Sequence, residues 1–110
     1  MSVKVLIRRT LPTEKEQQRE LMTLISMMRA RAAHHKDFLT SDVFLWNVDN
    51  LNETLSIAVF RHLDAWNNWM EDEEQKKIQK KIDDLGCVTR YEVFTDPPEQ
   101  LLGVKPTVVY

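Results

Sequence analysis

Apolar side chains in this chain change their spacing in a fixed order, and that order limits the folds open to it. They form a short β-branched run from Val3 to Arg9, take helical spacing from Leu21 to Ala32, crowd both faces of a strand-like stretch from Phe38 to Val48, and alternate from Thr54 to Phe60. Helical spacing returns after Leu63, and a strand-like run from Val88 to Phe94 follows. A two-residue period marks a strand with one face buried; a spacing of three or four marks an amphipathic helix. The sequence therefore predicts β-α-β-β-α-β. Among small α+β domains this is the ferredoxin-like arrangement, an antiparallel sheet with helices on one face.

Local chemistry sets the boundaries. Pro12 followed by Thr13-Glu14-Lys15-Glu16 has the capping-box pattern, so the first helix is expected from Glu14 to Ala33, with Thr13 as its cap. Asp49-Asn50-Leu51-Asn52-Glu53 is turn chemistry and joins the second and third strands as a hairpin. After Leu63 two short helices are expected, bent near Glu71-Asp72-Glu73-Glu74. Leu63, Trp66 and Met70 share a face of the first. Ile78, Ile82 and Leu85 form the stripe of the second, with Asp72–Lys76 and Glu73–Lys77 as favourable pairs and Gly86 as the stop.

The strand from Phe38 to Val48 carries bulky groups on both faces, Phe44, Trp46 and Val48 on one and Val43 and Leu45 on the other. Helices cover only one side of such a sheet. The expectation is a homodimer with two sheets packed face to face, a dimeric α+β barrel. Residues 1–96 make one domain, and 97–110, with Val108, Val109 and Tyr110, an extended tail that packs on the dimer partner.

Composition excludes several classes. A net charge of -2 argues against nucleic acid, and the apolar runs are too short to span a bilayer. One cysteine, Cys87, excludes a disulfide framework and is expected as a small buried group. Two glycines build no phosphate loop. The four lysines Lys76, Lys77, Lys80 and Lys81 face six acids between Glu71 and Asp84 and read as a solvated helix surface. No signal-peptide core precedes the first strand, so a cytoplasmic domain is expected.

The β-α-β-β-α-β order, together with Phe60-Arg61-His62-Leu63-Asp64-Ala65-Trp66-Asn67-Asn68-Trp69, resembles the antibiotic biosynthesis monooxygenase family. That family consists of dimeric α+β barrels. Tyr91-Glu92-Val93 looks like its last strand. The resemblance implies a cavity between sheet and helices that holds a small, flat organic molecule. It also implies oxidation of an electron-rich aromatic or enol with no metal, flavin or other cofactor. The alternative is a non-catalytic binding or stress-response dimer of the same fold. Trp69 matches the tryptophan that haem-degrading relatives place beside the porphyrin. The asparagine those relatives carry on the first strand is absent, and Gln79 occupies the place of their axial histidine, which argues against haem degradation.

Candidate site residues follow from this reading. His62, at the start of the aromatic helix, is the candidate base, or simply a cap. Arg8 and Arg9 point to opposite faces, so one of them faces the helices. There it stabilises a substrate anion or pairs with a glutamate of the first helix. Phe60, Trp66 and Trp69 are candidate ligand walls, though tryptophans of this kind also serve simply as core. His34-His35 suits a helix C-terminus, and no ligand spacing supports a metal site.

Overall fold

A computed structural model describes residues 2–41 and 44–96. Its elements are β1 (Val3–Thr10), α1 (Lys15–Ala33), β2 (Phe38–Ser41), β3 (Leu45–Trp46), β4 (Glu53–Phe60), α2 (Leu63–Met70), α3 (Glu73–Asp84) and β5 (Val88–Thr95). The expected α+β order is present, with two refinements. The second strand is interrupted, leaving β2 and the two-residue β3, both paired to β4. The bend in the second helical region is a full break between α2 and α3. The tail 97–110 lies outside the described residues, as does Val43.

All pairings are antiparallel, in the order β2-β4-β1-β5. Residues opposite one another across a ladder share a face, so the register sorts the side chains. Val3 stands between Phe60 and Thr95, Val5 between Ala58 and Val93, Ile7 between Ser56 and Tyr91, and Arg9 between Thr54 and Thr89. This set meets the helices. The other set, with Leu6, Arg8, Leu55, Ile57, Val59, Glu92 and Phe94, faces away.

The core lies between the first set and the helices. Val5, Leu21 and Ile82 are fully buried and Phe60 nearly so, with Leu24, Ile25, Met28, Trp66, Trp69 and Ile78 around them. Each such aliphatic side chain contributes roughly 1.5–3 kcal/mol by leaving water. The buried residues of α2 are Ala65, Trp66 and Trp69, whereas Leu63, expected to share that face, is exposed in the first turn.

The helix ends explain the chain's turns. The expected Thr13 capping box does not form: α1 begins one residue later, with Glu14 in the cap position and no side-chain cap bond. Gln18 instead donates from Nε2 to the Pro12 carbonyl at 2.7 Å. Asp37 occupies the left-handed region (φ 67°), a conformation that aspartate tolerates, and turns the chain from α1 into β2. Gly86 (φ 85°) does the same after α3, as its sequence position predicted.

Asp72 caps α3 by accepting from the Gln75 amide at 2.9 Å and also receives Arg31 of α1 through two bonds of 3.2 and 2.9 Å. It is therefore unavailable to Lys76. The expected Asp72–Lys76 and Glu73–Lys77 pairs are replaced by Glu71–Lys76 and Glu74–Lys77. The Arg31 hydrogen bonds, the largest cause, hold the Asp72 carboxyl down at about 2, below its ordinary 3.8. A group whose folded pKa is depressed stabilises the fold above its unfolded pKa and loses that contribution as pH falls through the folded one. Asp72→Ala is expected to cost about 1–2 kcal/mol, the usual worth of an N-cap, in urea denaturation at pH 7. The deficit relative to the parent should shrink between pH 4 and pH 2. A deficit that stays constant over that window would contradict the assignment.

Candidate functional site

A cavity of about 50 Å³, partly open to solvent, lies between α1 and the sheet. Elements from across the domain build its walls. The stripe of α1 supplies Ile25, Met28 and Ala32, the inward row of β4 supplies Ser56, Ala58 and Phe60, and α2 supplies Trp69. Phe38 and Phe44 close the side along β2 and β3, and Ile7 and Arg9 of β1 complete it. The lining is apolar except for Ser41, Ser56 and two arginines, Arg9 and the exposed Arg29. The small side chains of Ala32, Ser56 and Ala58 leave the space that the surrounding aromatic rings frame.

The structure brings some of the predicted site residues together and separates others. Phe60, Trp69 and Arg9 line the cavity. Trp66 does not; it packs edge-on against Phe60 at 5.5 Å and Tyr91 at 5.4 Å, as core. Trp69 serves both purposes, buried at 5% exposure, with its ring edge-on to His35 at 5.5 Å. Arg8 lies on the opposite face of the sheet, where its Nε donates to Glu92 at 2.6 Å. His62 caps α2. Its Nδ1 accepts from the Ala65 amide at 3.1 Å, and its Nε2 lies 3.2 Å from the Asp37 carboxylate, away from the cavity lining. Both ring nitrogens are thus engaged in holding the turn at Asp37.

Arg9 differs from the sequence expectation in its partners. It is 4% exposed, and no carboxylate among the described residues forms an ion pair with it. Its Nη1 donates to Thr89 Oγ1 at 2.8 Å and to Gln79 Oε1 at 3.4 Å. The same Gln79 oxygen accepts from the Tyr91 hydroxyl at 3.1 Å, while Gln79 Nε2 donates to Thr89 Oγ1 and to the Asp83 carboxylate. Burial pushes the Tyr91 phenol up from its ordinary value and does the same to the Cys87 thiol. Cys87 is thus the small buried group expected.

Among the described residues there is no cluster of three or more metal-ligating side chains, and His34 ends α1 as its C-cap. Sequence reasoning missed Phe38, Phe44 and Met28 as cavity walls, although Met28 was legible on the α1 stripe. It also left the direction of Arg9 open. The parity of β1 contains that answer, because Val3, Val5 and Ile7 share the odd positions with Arg9.

The fold and its cavity define a class: small α+β domains that hold an apolar pocket between one face of an antiparallel sheet and the helices above it. Solved structures share the fold over most of the chain. One is SnoaB, a cofactor-independent oxygenase from Streptomyces nogalater, with 18% identity, a TM-score of 0.74, and coverage of 88% of this chain and 94% of that one. A conserved protein from Methanosarcina mazei matches with 10% identity, a TM-score of 0.75 and the same coverage. A proposed antibiotic biosynthesis monooxygenase from Nitrosomonas europaea matches with 9% identity, a TM-score of 0.73, and coverage of 96% and 93%. The chain has the fold of the antibiotic biosynthesis monooxygenases, as its resemblance to them implied. No protein-family model matches the sequence, and no curated protein does. No helix among the described residues is long and apolar enough to cross a membrane.

Proposed function

We propose that the protein is a monooxygenase that oxidises a small aromatic or enolisable molecule with dioxygen, without a bound metal or flavin. The observation that carries this reading is the aromatic-walled cavity beneath α1, in the fold shared with a cofactor-independent oxygenase. The chain's part is to exclude water and stabilise the substrate anion while dioxygen reacts. For a doubly activated methylene the balance is CH₂ plus O₂ giving C=O plus H₂O: the carbon is oxidised, and one oxygen atom leaves as water.

The test is oxygen uptake with anthrone at neutral pH, with anthraquinone followed by absorbance. Turnover above buffer that falls at least tenfold in Trp69→Phe supports the proposal. Buffer-level oxidation overturns the catalytic part. One observation favours the alternative, a binding domain without catalysis: no histidine, carboxylate or lysine among the described residues lines the cavity, so no proton acceptor stands beside a ligand. If the protein is catalytic, its substrate must arrive already deprotonated or lose its proton to water.

The working unit we propose is a homodimer. The sheet face away from the helices carries Leu6, Leu55, Ile57 and Val59, flanked by the exposed Leu45, Val88 and Phe94, and its Arg8 and Glu92 neutralise one another. Lys4 and Arg90 share this face, but its apolar groups are costly to leave in water together, and a second copy offers a matching set.

A further inference from the structure

A second cleft, of about 310 Å³, opens between α3 and β5, and it shares no lining residue with the cavity beneath α1. The charged groups around it are spent on one another. Lys76 meets Glu71 at 2.9 Å, Lys80 meets Asp84 at 3.2 Å, and Gln79 Nε2 donates to Asp83 at 2.9 Å. The polar groups of its floor are also engaged, since Gln79 Oε1 accepts from the Tyr91 hydroxyl and Gln79 Nε2 reaches Thr89 Oγ1.

Gln75, which lines the same cleft from the first turn of α3, is the exception. It is 3% exposed, yet its Nε2 has only the Met70 sulfur, 4.0 Å away, as acceptor. Its Oε1 has no hydrogen-bond partner among the described residues. Asp72-Glu73-Glu74-Gln75 has the spacing of a capping box, in which Gln75 would accept from the Asp72 amide. That half of the box is not made, because the Asp72 amide donates to the Trp69 carbonyl at 3.1 Å. A buried amide left unpaired has given up its water without return, and such groups are uncommon. Among the described residues the only fully buried side-chain orphan is His35 Nδ1, so the Gln75 oxygen keeps some exposure, and the cleft is where it opens.

We infer that the α3–β5 cleft is a second binding site, for a small neutral molecule that presents a hydrogen-bond donor and acceptor side by side, the edge of a lactam or carboxamide, read by the Gln75 amide. A glutamine side chain offers an acceptor and donors on neighbouring atoms, so another amide edge complements both in one plane. The neutrality of the ligand follows from the mouth, where lysines and acids already balance. Met70 supplies a soft, polarisable wall for the body of the ligand. The inference is independent of the α1 cavity and of any oxidation there.

The test titrates isotopically labelled full-length protein at pH 7 with 2-pyridone, which has the lactam edge, and with 1-methyl-2-pyridone, whose donor is blocked. 2-Pyridone is expected to move the Gln75 side-chain amide signals and to bind at least tenfold more tightly than its methylated form. Gln75→Leu and Gln75→Met, both close to glutamine in volume, should each lose at least tenfold in 2-pyridone affinity. Their thermal midpoints should be unchanged or raised, since they remove a buried amide that the fold leaves unpaired. A purely structural role gives the opposite sign, and both variants would then melt lower. That result overturns the inference, as does equal affinity for the two probes, no binding of 2-pyridone, or binding that survives in a folded Gln75 variant.

Discussion

Trp69→Ala is expected to remove small-molecule binding and to destabilise the protein by roughly 3–5 kcal/mol, the range for truncating a buried aromatic side chain. Trp69 is buried at 5% exposure, carries the His35 edge contact and walls the cavity, so one truncation enlarges the pocket and weakens the core together. Because domains of this size are stable by only about 5–15 kcal/mol, the variant sits close to the limit of folding. Two companions separate the effects. Trp66→Ala, three residues away, should cost a similar amount in urea denaturation but leave anthrone turnover within a few-fold, since Trp66 packs against Phe60 and Tyr91 and does not line the cavity. Trp69→Phe should fold and bind weakly. Unchanged binding in a folded Trp69 variant would remove the pocket assignment.

The second large effect concerns assembly. Ile57→Asp should convert the proposed homodimer into a monomer in sedimentation equilibrium at micromolar concentration. Ile57 lies on β4, opposite Leu6 of β1, on the sheet face away from the helices. A carboxylate there must be desolvated to enter a face-to-face sheet contact, while in the monomer it stays in water. The fold of each subunit should therefore survive, with near-parental circular dichroism. A parent protein that sediments as a monomer would end the dimer proposal outright.

Much of this architecture was legible because it rests on local rules. The α1 stripe, the turn at Asp49–Glu53, the stop at Gly86 and the break at Asp72 each follow from residue types acting on their immediate neighbours. The features that were missed depend on tertiary partners. Thr13 has the residues of a capping box, but Gln18 reaches the Pro12 carbonyl and the helix starts later. Asp72 could have joined Lys76 on its own helix, yet the fork of Arg31, planar and bidentate, draws it to α1. The same limit applied at the site. The family resemblance picked out Phe60 and Trp69, which line the cavity, while of the two roles the sequence offered His62, base or cap, the structure shows the cap, with Asp37 beside it. Nothing local announces that Gln79 and Arg9, 70 residues apart, belong to one network.

The register of β1 also bears on how the chain reaches this state. β1 is made well before its partners β4 and β5, with contacts such as Arg8 to Glu92 spanning 84 residues. Closing loops of that length costs entropy before any pairing repays it, which places the domain among the slower folders of its size. During synthesis, β1 waits with both edges open until β4 and then β5 have left the ribosome, and an open edge is a template for pairing with another chain. Lys4, exposed near the start of the strand, is then a natural guard on that edge while it is bare.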